Sequence, residues 1–128
     1  MQWEHITNQI ISASMNIHSE IGPGVLESVY RRCLHHELIK AEVKVQSEVS
    51  LPVLYDGLDL EAGFRLDLIV ENTIIVELKS VETILPIHKT QLLTYLRLAN
   101  MPLGLLLNFN VLHLRDGIKR VINNRYRS

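Results

Sequence analysis

Two alternating apolar runs, residues about 62–70 and 74–80, are separated by only three residues, Glu71-Asn72-Thr73. Successive side chains of a strand point to opposite faces, so each run divides into two sets. In the first run, Phe64, Leu66, Leu68 and Val70 form one face and Arg65, Asp67 and Ile69 the other. In the second, Ile74, Val76 and Leu78 stand against Ile75, Glu77 and Lys79. Matching the apolar faces fixes the pairing, because a slip of one residue sends every side chain to the wrong side. Val70 then pairs with Ile74, Leu68 with Val76 and Leu66 with Leu78. Asn72 tolerates the left-handed conformation that such a short loop uses.

This register sets Asp67 directly opposite Glu77, with Cβ atoms about 5 Å apart, and Arg65 opposite Lys79 on the same face. Two carboxylates so close repel each other unless one is protonated or a cation lies between them. Magnesium prefers carboxylate oxygens and keeps several waters, so it suits the pair. Lys79 can hold an attacking water or a charged phosphate. The bland alternative is a set of ordinary surface ion pairs on an exposed hairpin. Arg65 fits equally as a phosphate contact or as an ion-pair partner of Asp67 or Glu77.

The rest of the chain supplies a frame. Ile6, Ile10, Ile17 and Ile21, with Ala13 between, predict an amphipathic helix over about 3–20, which either caps the core or forms a dimer interface. Gly22-Pro23-Gly24 breaks it; Gly24 can also let substrate approach closely. A second helix is expected over about 25–40, with Leu26, Val29, Tyr30, Cys33, Leu34 and Leu38 inward. The period then changes to two: Val43, Val45, Ser47 and Val49 alternate with Lys44, Gln46 and Glu48. Leu51 to Tyr55 continues that strand, Pro52 marks an edge or a bulge, and Asp56-Gly57 is a hairpin turn. Pro86 opens a third helix of about 86–99, on which Gln91 and Tyr95 share a polar stripe with His88 at i, i+4 spacing and can line the acidic cleft. His88 itself reads as a capping or solvated residue. Residues 103–107 are apolar on both faces, as in a buried strand. After about 114 a turn and a short basic helix or tail are expected. The order predicts an α/β chain with a mixed sheet, helices on both faces, and a right-handed parallel crossover through the third helix.

At 128 residues one domain, 1–128, is expected, and 47% hydrophobic residues can bury a core at this length. The net charge of −1 argues against tight non-specific nucleic-acid binding, since dedicated binders are basic. Arg31 and Arg32, and Arg115, Lys119, Arg120, Arg125 and Arg127, form basic clusters that are usually solvated faces, although the tail can meet a nucleic-acid backbone. The single cysteine, Cys33, permits no intramolecular disulfide and no cysteine-based zinc site within one chain, and is expected in the core. No apolar run approaches the roughly 20 residues that span a bilayer, and Met1 leads into Trp3, Glu4 and His5 rather than a secretory signal. A cytoplasmic location without a membrane partner is the expectation.

Asp67, Glu77-x-Lys79 and Gln91-Leu92-x-x-Tyr95 resemble the PD-(D/E)XK nuclease superfamily, the last motif being similar to that of its RecB-like branch. Gly24-Val25-Leu26-Glu27-Ser28-Val29-Tyr30 resembles the signature of the small GxxExxY proteins placed in that superfamily, and the similarity runs from about Ile17 to Ile122. The resemblance implies a restriction-endonuclease-like αβββαβ core from about residue 25 onward, preceded by an extra N-terminal helix. It implies Asp67 and Glu77 as metal ligands, aided by the Leu78 carbonyl, and Glu27 as an acid that binds or positions the metal. By residue type alone, Glu27 is also a first-turn acid favoured by the helix dipole. The resemblance further implies that Lys79 orients the nucleophilic water and stabilises the pentacovalent phosphate, and that Gln91 and Tyr95 position the lysine, the phosphate or the scissile strand. Leu66 stands where the motif's proline is often found.

Two functions are therefore expected in competition. One is a nuclease dependent on Mg2+, with Mn2+ as substitute, that cuts a nucleic-acid phosphodiester by water attack, alone or as a homo-oligomer. The other is a non-enzymatic nuclease-like module serving as a partner-binding or regulatory subunit, which the small size and near-neutral charge favour.

Overall fold

A computed structural model of the chain describes residues 3–128, without the side chains of residues 61–63. The elements run α1 (Glu4–Ile21), α2 (Glu27–Lys40), β1 (Val45–Tyr55), β2 (Leu58–Val70), β3 (Ile74–Lys79), α3 (Pro86–Ala99), β4 (Leu103–Asn108), a 3-10 turn at Leu114–Gly117, and β5 (Ile118–Ile122). The five strands form one mixed sheet in the order β1-β2-β3-β4-β5. All neighbours are antiparallel except β3 and β4, the parallel pair joined through α3.

Each face of the sheet is covered. Ile10 and Ile17 of α1 and Tyr30, Leu34 and Leu38 of α2 pack on Val70, Ile74, Val76, Leu78 and Leu105, so α1 caps the core. Leu92, Tyr95 and Leu96 of α3 pack on Leu66, Ile69, Ile75 and Leu106 from the other side. Cys33 is half-buried against the first of these clusters. The α1–α2 turn uses Gly22 and Gly24 at φ 81° and 87°, values that a side chain disfavours. Tyr30 fixes this turn: its hydroxyl donates to the Gly22 carbonyl at 2.6 Å and accepts from Val25 N–H at 3.1 Å, while its ring stacks on Phe109 at 4.2 Å.

The β2–β3 turn has the expected pairs Val70–Ile74 and Leu68–Val76, with Asn72 at φ 52°. The expected Leu66–Leu78 pair does not form, because the β2–β3 ladder ends at Leu68–Val76. From that point β2 stays with β1 as far as Tyr55–Leu58, and β3 stays with β4 as far as Lys79–Asn108. The sheet therefore splits like a fork. One prong is the β1–β2 hairpin, and the other is the β3–β4 pair.

A second departure explains the split. Leu68 and Val70 face α1 and α2 as expected, but Leu66 lies with Ile69 on the α3 face, and the Phe64 ring meets that of Tyr95 at 5.1 Å. Across the ladder, Val45 packs towards α2 and Val49 towards α3, although both belong to one face by simple alternation. Both strands thus exchange faces at one level, between Ser47–Leu68 and Val49–Leu66. Glu48 and Asp67 occupy that level, and Glu48 is left-handed at φ 53°. A residue there reverses the pleat, and two reversals side by side keep the pairing while turning the prong. A further register shift falls between Leu51 and Val53, at Pro52, on the edge strand β1.

The segment after 114 is corrected as well. Residues 118–122 form a strand antiparallel to β4, not a helix. Ile118 and Val121 suit a helical stripe on paper, yet they pack on opposite faces of the sheet, as a strand requires. Arg120 is held outward by Glu4 at 3.3 Å. No helix among the described residues is long and apolar enough to cross a membrane.

Candidate active site

The carboxylates of Asp67 and Glu77 meet at the crotch of the fork. Where the ladder stops, side chains take over its hydrogen bonds. Asp67 N–H donates to Glu77 Oε2 at 3.0 Å, and Leu78 N–H donates to Asp67 Oδ2 at 2.8 Å. Each acid thus uses one oxygen to satisfy a main-chain donor of the opposite strand. Asp67 is half-buried, and Glu77 is only 9% exposed.

This setting is hostile to two negative charges. Burial pushes the Glu77 carboxyl up to about 9 from 4.5; the Asp67 charge and its side-chain hydrogen bond push the same way, and Asp67 N–H and Lys79 only partly oppose them. At neutral pH the pair therefore keeps a proton in the absence of a cation. Burial, with the charges of Glu77 and Asp67 adding to it, also raises the Tyr95 hydroxyl, whose side chain closes the α3 side of the crotch.

Lys79 is half-buried, two residues beyond Glu77 and on the same face of β3. Asn108, 2% exposed, secures the chain just beyond it: Oδ1 accepts from Val81 N–H at 3.1 Å and Asn110 N–H at 3.2 Å, and Nδ2 donates to the Val81 carbonyl at 2.9 Å. Phe109 N–H donates to the Lys79 carbonyl at 3.0 Å. Sequence reasoning missed Asn108; its only signal is an amide closing the otherwise apolar run Leu103–Asn108.

The other expected site residues are placed less uniformly. Glu27 opens α2 and its Oε2 accepts Ser80 N–H at 3.0 Å, so it ties the helix start to the end of β3. No group of three or more His, Cys, Asp or Glu side chains converges on one point among the described residues, so Glu27 does not join Asp67 and Glu77 in a common ligand cluster. Gln91 is exposed on α3, one turn before Tyr95. His88 caps α3 by accepting Leu85 N–H at 2.9 Å. Arg65 does not pair with either acid; it stands opposite Ser50 and bonds Glu48.

A mixed sheet with α1 and α2 on one face and α3 on the other, split where an acidic pair sits, is the restriction-endonuclease-like fold. A family model of the PD-(D/E)XK nuclease superfamily matches residues 4–121, and the chain belongs to that superfamily. Its members are in general nucleases, which makes nucleic acid the implied substrate class. No curated protein and no solved structure matches the chain.

Proposed function

We propose that the protein is a magnesium-dependent nuclease that hydrolyses a phosphodiester bond at the crotch of the fork. The observation that carries this reading is the Asp67–Glu77 pair itself, two carboxylates brought together in a largely buried crotch where their negative charges would collide. A hard divalent cation satisfies the same pair better than a proton does, and two carboxylates with room for waters suit magnesium or manganese. Asp67 and Glu77 would hold the ion, with the Leu78 carbonyl as a further oxygen. When bound, the ion supplies Lewis-acid polarisation of the phosphate and a lowered pKa for water.

The chain's own groups do the rest. Lys79 orients the attacking water and offsets charge developing on the phosphate oxygens. Asn108 and the Phe109–Lys79 hydrogen bond fix the strand end that carries the lysine. Glu27 holds Ser80 and positions this strand end from the α2 side. Tyr95 and Gln91 border the α3 side, where they orient the scissile strand. The resemblance to the small GxxExxY proteins supports the same site, since Glu27 of that signature ties the start of α2 to Ser80 beyond β3 and Tyr30 fixes the turn that leads into α2.

The experiment is cleavage of labelled single-stranded DNA, duplex DNA and RNA with magnesium or manganese, with Lys79→Ala alongside. Metal-dependent cleavage by the wild type, reduced at least a hundredfold in the variant, is expected. Equal cleavage by both proteins, or cleavage indifferent to chelator, refutes it.

One observation favours a non-enzymatic reading. The hairpin prong exposes Leu54, Tyr55 and Leu58, and residues 49–64 contain acids but no lysine or arginine. That tip suits a protein surface better than a polyanion. Intact metal binding without cleavage of any of the three substrates would favour this reading.

A further inference from the structure

The α2 rim of the fork carries two guanidinium groups that this chemistry leaves unused. Glu48 Oε1 lies 3.4 Å from Arg31 Nη2 on α2 and 3.4 Å from Arg65 Nη1 on β2. One carboxylate between two guanidiniums leaves a net positive charge. Both arginines approach the same oxygen, so most of their N–H donors remain free. Arg31 is only 19% exposed and is packed in place, whereas Arg65 is 68% exposed and open to a ligand.

The backbone is strained to build this arrangement. With simple alternation Glu48 would follow Gln46 to the α3 face. Its left-handed φ of 53° turns it to the α2 face instead, where Arg31 stands. That conformation costs roughly 1–2 kcal/mol for a residue with a side chain, while an exposed ion pair returns at most about 1 kcal/mol. The two ion pairs together therefore do no more than offset the strain, and strain of this kind concentrates at functional sites.

The position fits the reaction. Glu48 lies opposite Asp67, one strand spacing or about 5 Å away. Helix α2 crosses the crotch: Glu27 bonds Ser80 beyond β3, and Arg31, one turn later, bonds Glu48 on β1. Arg65 therefore lies on the strand that bears Asp67, two residues from it, and Arg31 reaches the same Glu48 from α2. Two planar forks converging from different elements match the oxygens of a phosphate.

We propose that Arg31 and Arg65, held by Glu48, form a phosphate clamp that grips the nucleic-acid backbone beside the scissile bond. The proposal rests on the nuclease reading and gives it a substrate-binding surface that the near-neutral net charge conceals.

The test measures anisotropy of a short fluorescein-labelled oligonucleotide, as single-stranded DNA, duplex DNA and RNA. The full chain carries Lys79→Ala so that the probe is not consumed. Adding Arg31→Ala or Arg65→Ala should each weaken binding about tenfold, and should lower the slope of log affinity against log salt by about 0.7–0.9, the value for one phosphate. Arg65→Lys, which keeps the charge, should keep the slope. Arg97→Ala, an exposed control on α3, should change affinity less than twofold. Melting curves should match for the Arg65 variants, since that side chain is exposed. Inorganic phosphate at matched ionic strength should leave the probe bound; displacement would assign the clamp to free phosphate and overturn the proposal. Arginine variants that bind like the control also overturn it, and if the protein with Lys79 intact still cleaves, the nuclease stands without the clamp. Arginine-dependent binding with no cleavage by the protein with Lys79 intact keeps the clamp and removes the nuclease. No binding to any probe removes both.

Discussion

Replacing Glu77 by glutamine should stabilise the protein in metal-free buffer above about pH 5, and the gain should grow with pH. Glu77 is almost fully buried, and its pKa is pushed up to about 9, first by burial and then by Asp67. In the unfolded chain the same group ionises near its ordinary value of 4.5. Between those two values the unfolded state has lost a proton that the folded state keeps. Stability therefore falls as pH rises, by about 1.4 kcal/mol per unit for this single site. The stabilisation is fully present below about pH 4.5 and is lost by about pH 9. At pH 7 the shortfall is on the order of 3 kcal/mol. For a chain of this length, 1 kcal/mol moves the melting temperature by about 4 °C, so Glu77→Gln should melt about 12 °C above wild type at pH 7.

The amide can still accept Asp67 N–H, so the variant keeps the bond that Glu77 Oε2 makes. Thermal melts in chelator from pH 5 to 9, followed by circular dichroism, should show a gap between the two proteins that widens by about 5 °C per pH unit. Asp67→Asn should bring the wild-type decline to an end at a lower pH without abolishing it, because burial is the larger cause. Saturating magnesium should raise the wild type and leave Glu77→Gln unchanged. Parallel melting curves for wild type and Glu77→Gln across this range would show that Glu77 titrates as an ordinary carboxylate, and the argument for a cation at the crotch would fail with it.

Three further substitutions separate positioning from ligation. Asn108→Ala removes three hydrogen bonds from a buried amide and should cost about 2–4 kcal/mol, read in urea melts, with activity reduced as the end of β3 loosens. Gly117→Ala places a Cβ 2.1 Å from the Asn108 carbonyl oxygen and should cost at least about 2 kcal/mol, whereas an unchanged urea midpoint would show that the 3-10 turn yields easily. Glu27→Gln keeps an acceptor for Ser80 N–H, so magnesium affinity measured by calorimetry should stay within about twofold; loss of metal binding would make Glu27 a direct ligand.

The parts of the molecule that obey one local rule were legible in the sequence. Helix α3 starts at Pro86 and ends at Ala99 because a proline fits the first turn and Asn100 takes the left-handed cap. The Asp67–Glu77 apposition was legible because alternation holds through β3 and the turn-proximal half of β2. Beyond Asp67 the rule breaks without trace, since Leu66 and Leu68 are equally apolar and a leucine suits either face. Simple alternation therefore joins Leu66 to Leu78, although the two pack in different core clusters on opposite faces of the sheet. Residues 118–122 failed for the opposite reason: two apolar positions three apart fit a helix stripe as well as the two faces of a strand. For Arg65 the sequence offers a phosphate contact or an ion pair with Asp67 or Glu77, and no pattern reveals Glu48, which stands on the α2 face only through its left-handed backbone.

The site and the fork have one origin. If β2 and β3 stayed paired to their ends, Leu78 N–H would bond Leu66 across the ladder, Asp67 N–H would turn towards β1, and the acids would lie on a closed, continuous surface. The exchange of faces at Glu48 and Asp67 turns the hairpin away, and the freed donors then need acceptors. Asp67 and Glu77 are those acceptors, so each carboxylate is oriented by the backbone of the opposite strand rather than by a separate scaffold. An alanine at either position therefore removes an acid and also strands a main-chain donor of the other strand, a cost of about 1–3 kcal/mol wherever water does not replace the lost acceptor. The amide variants Asp67→Asn and Glu77→Gln keep an acceptor there and lose only the charge. Activity lost equally in the alanine and amide variants, with stability lost only in the alanines, is the pattern that separates the chemical role of these acids from their part in holding the fork.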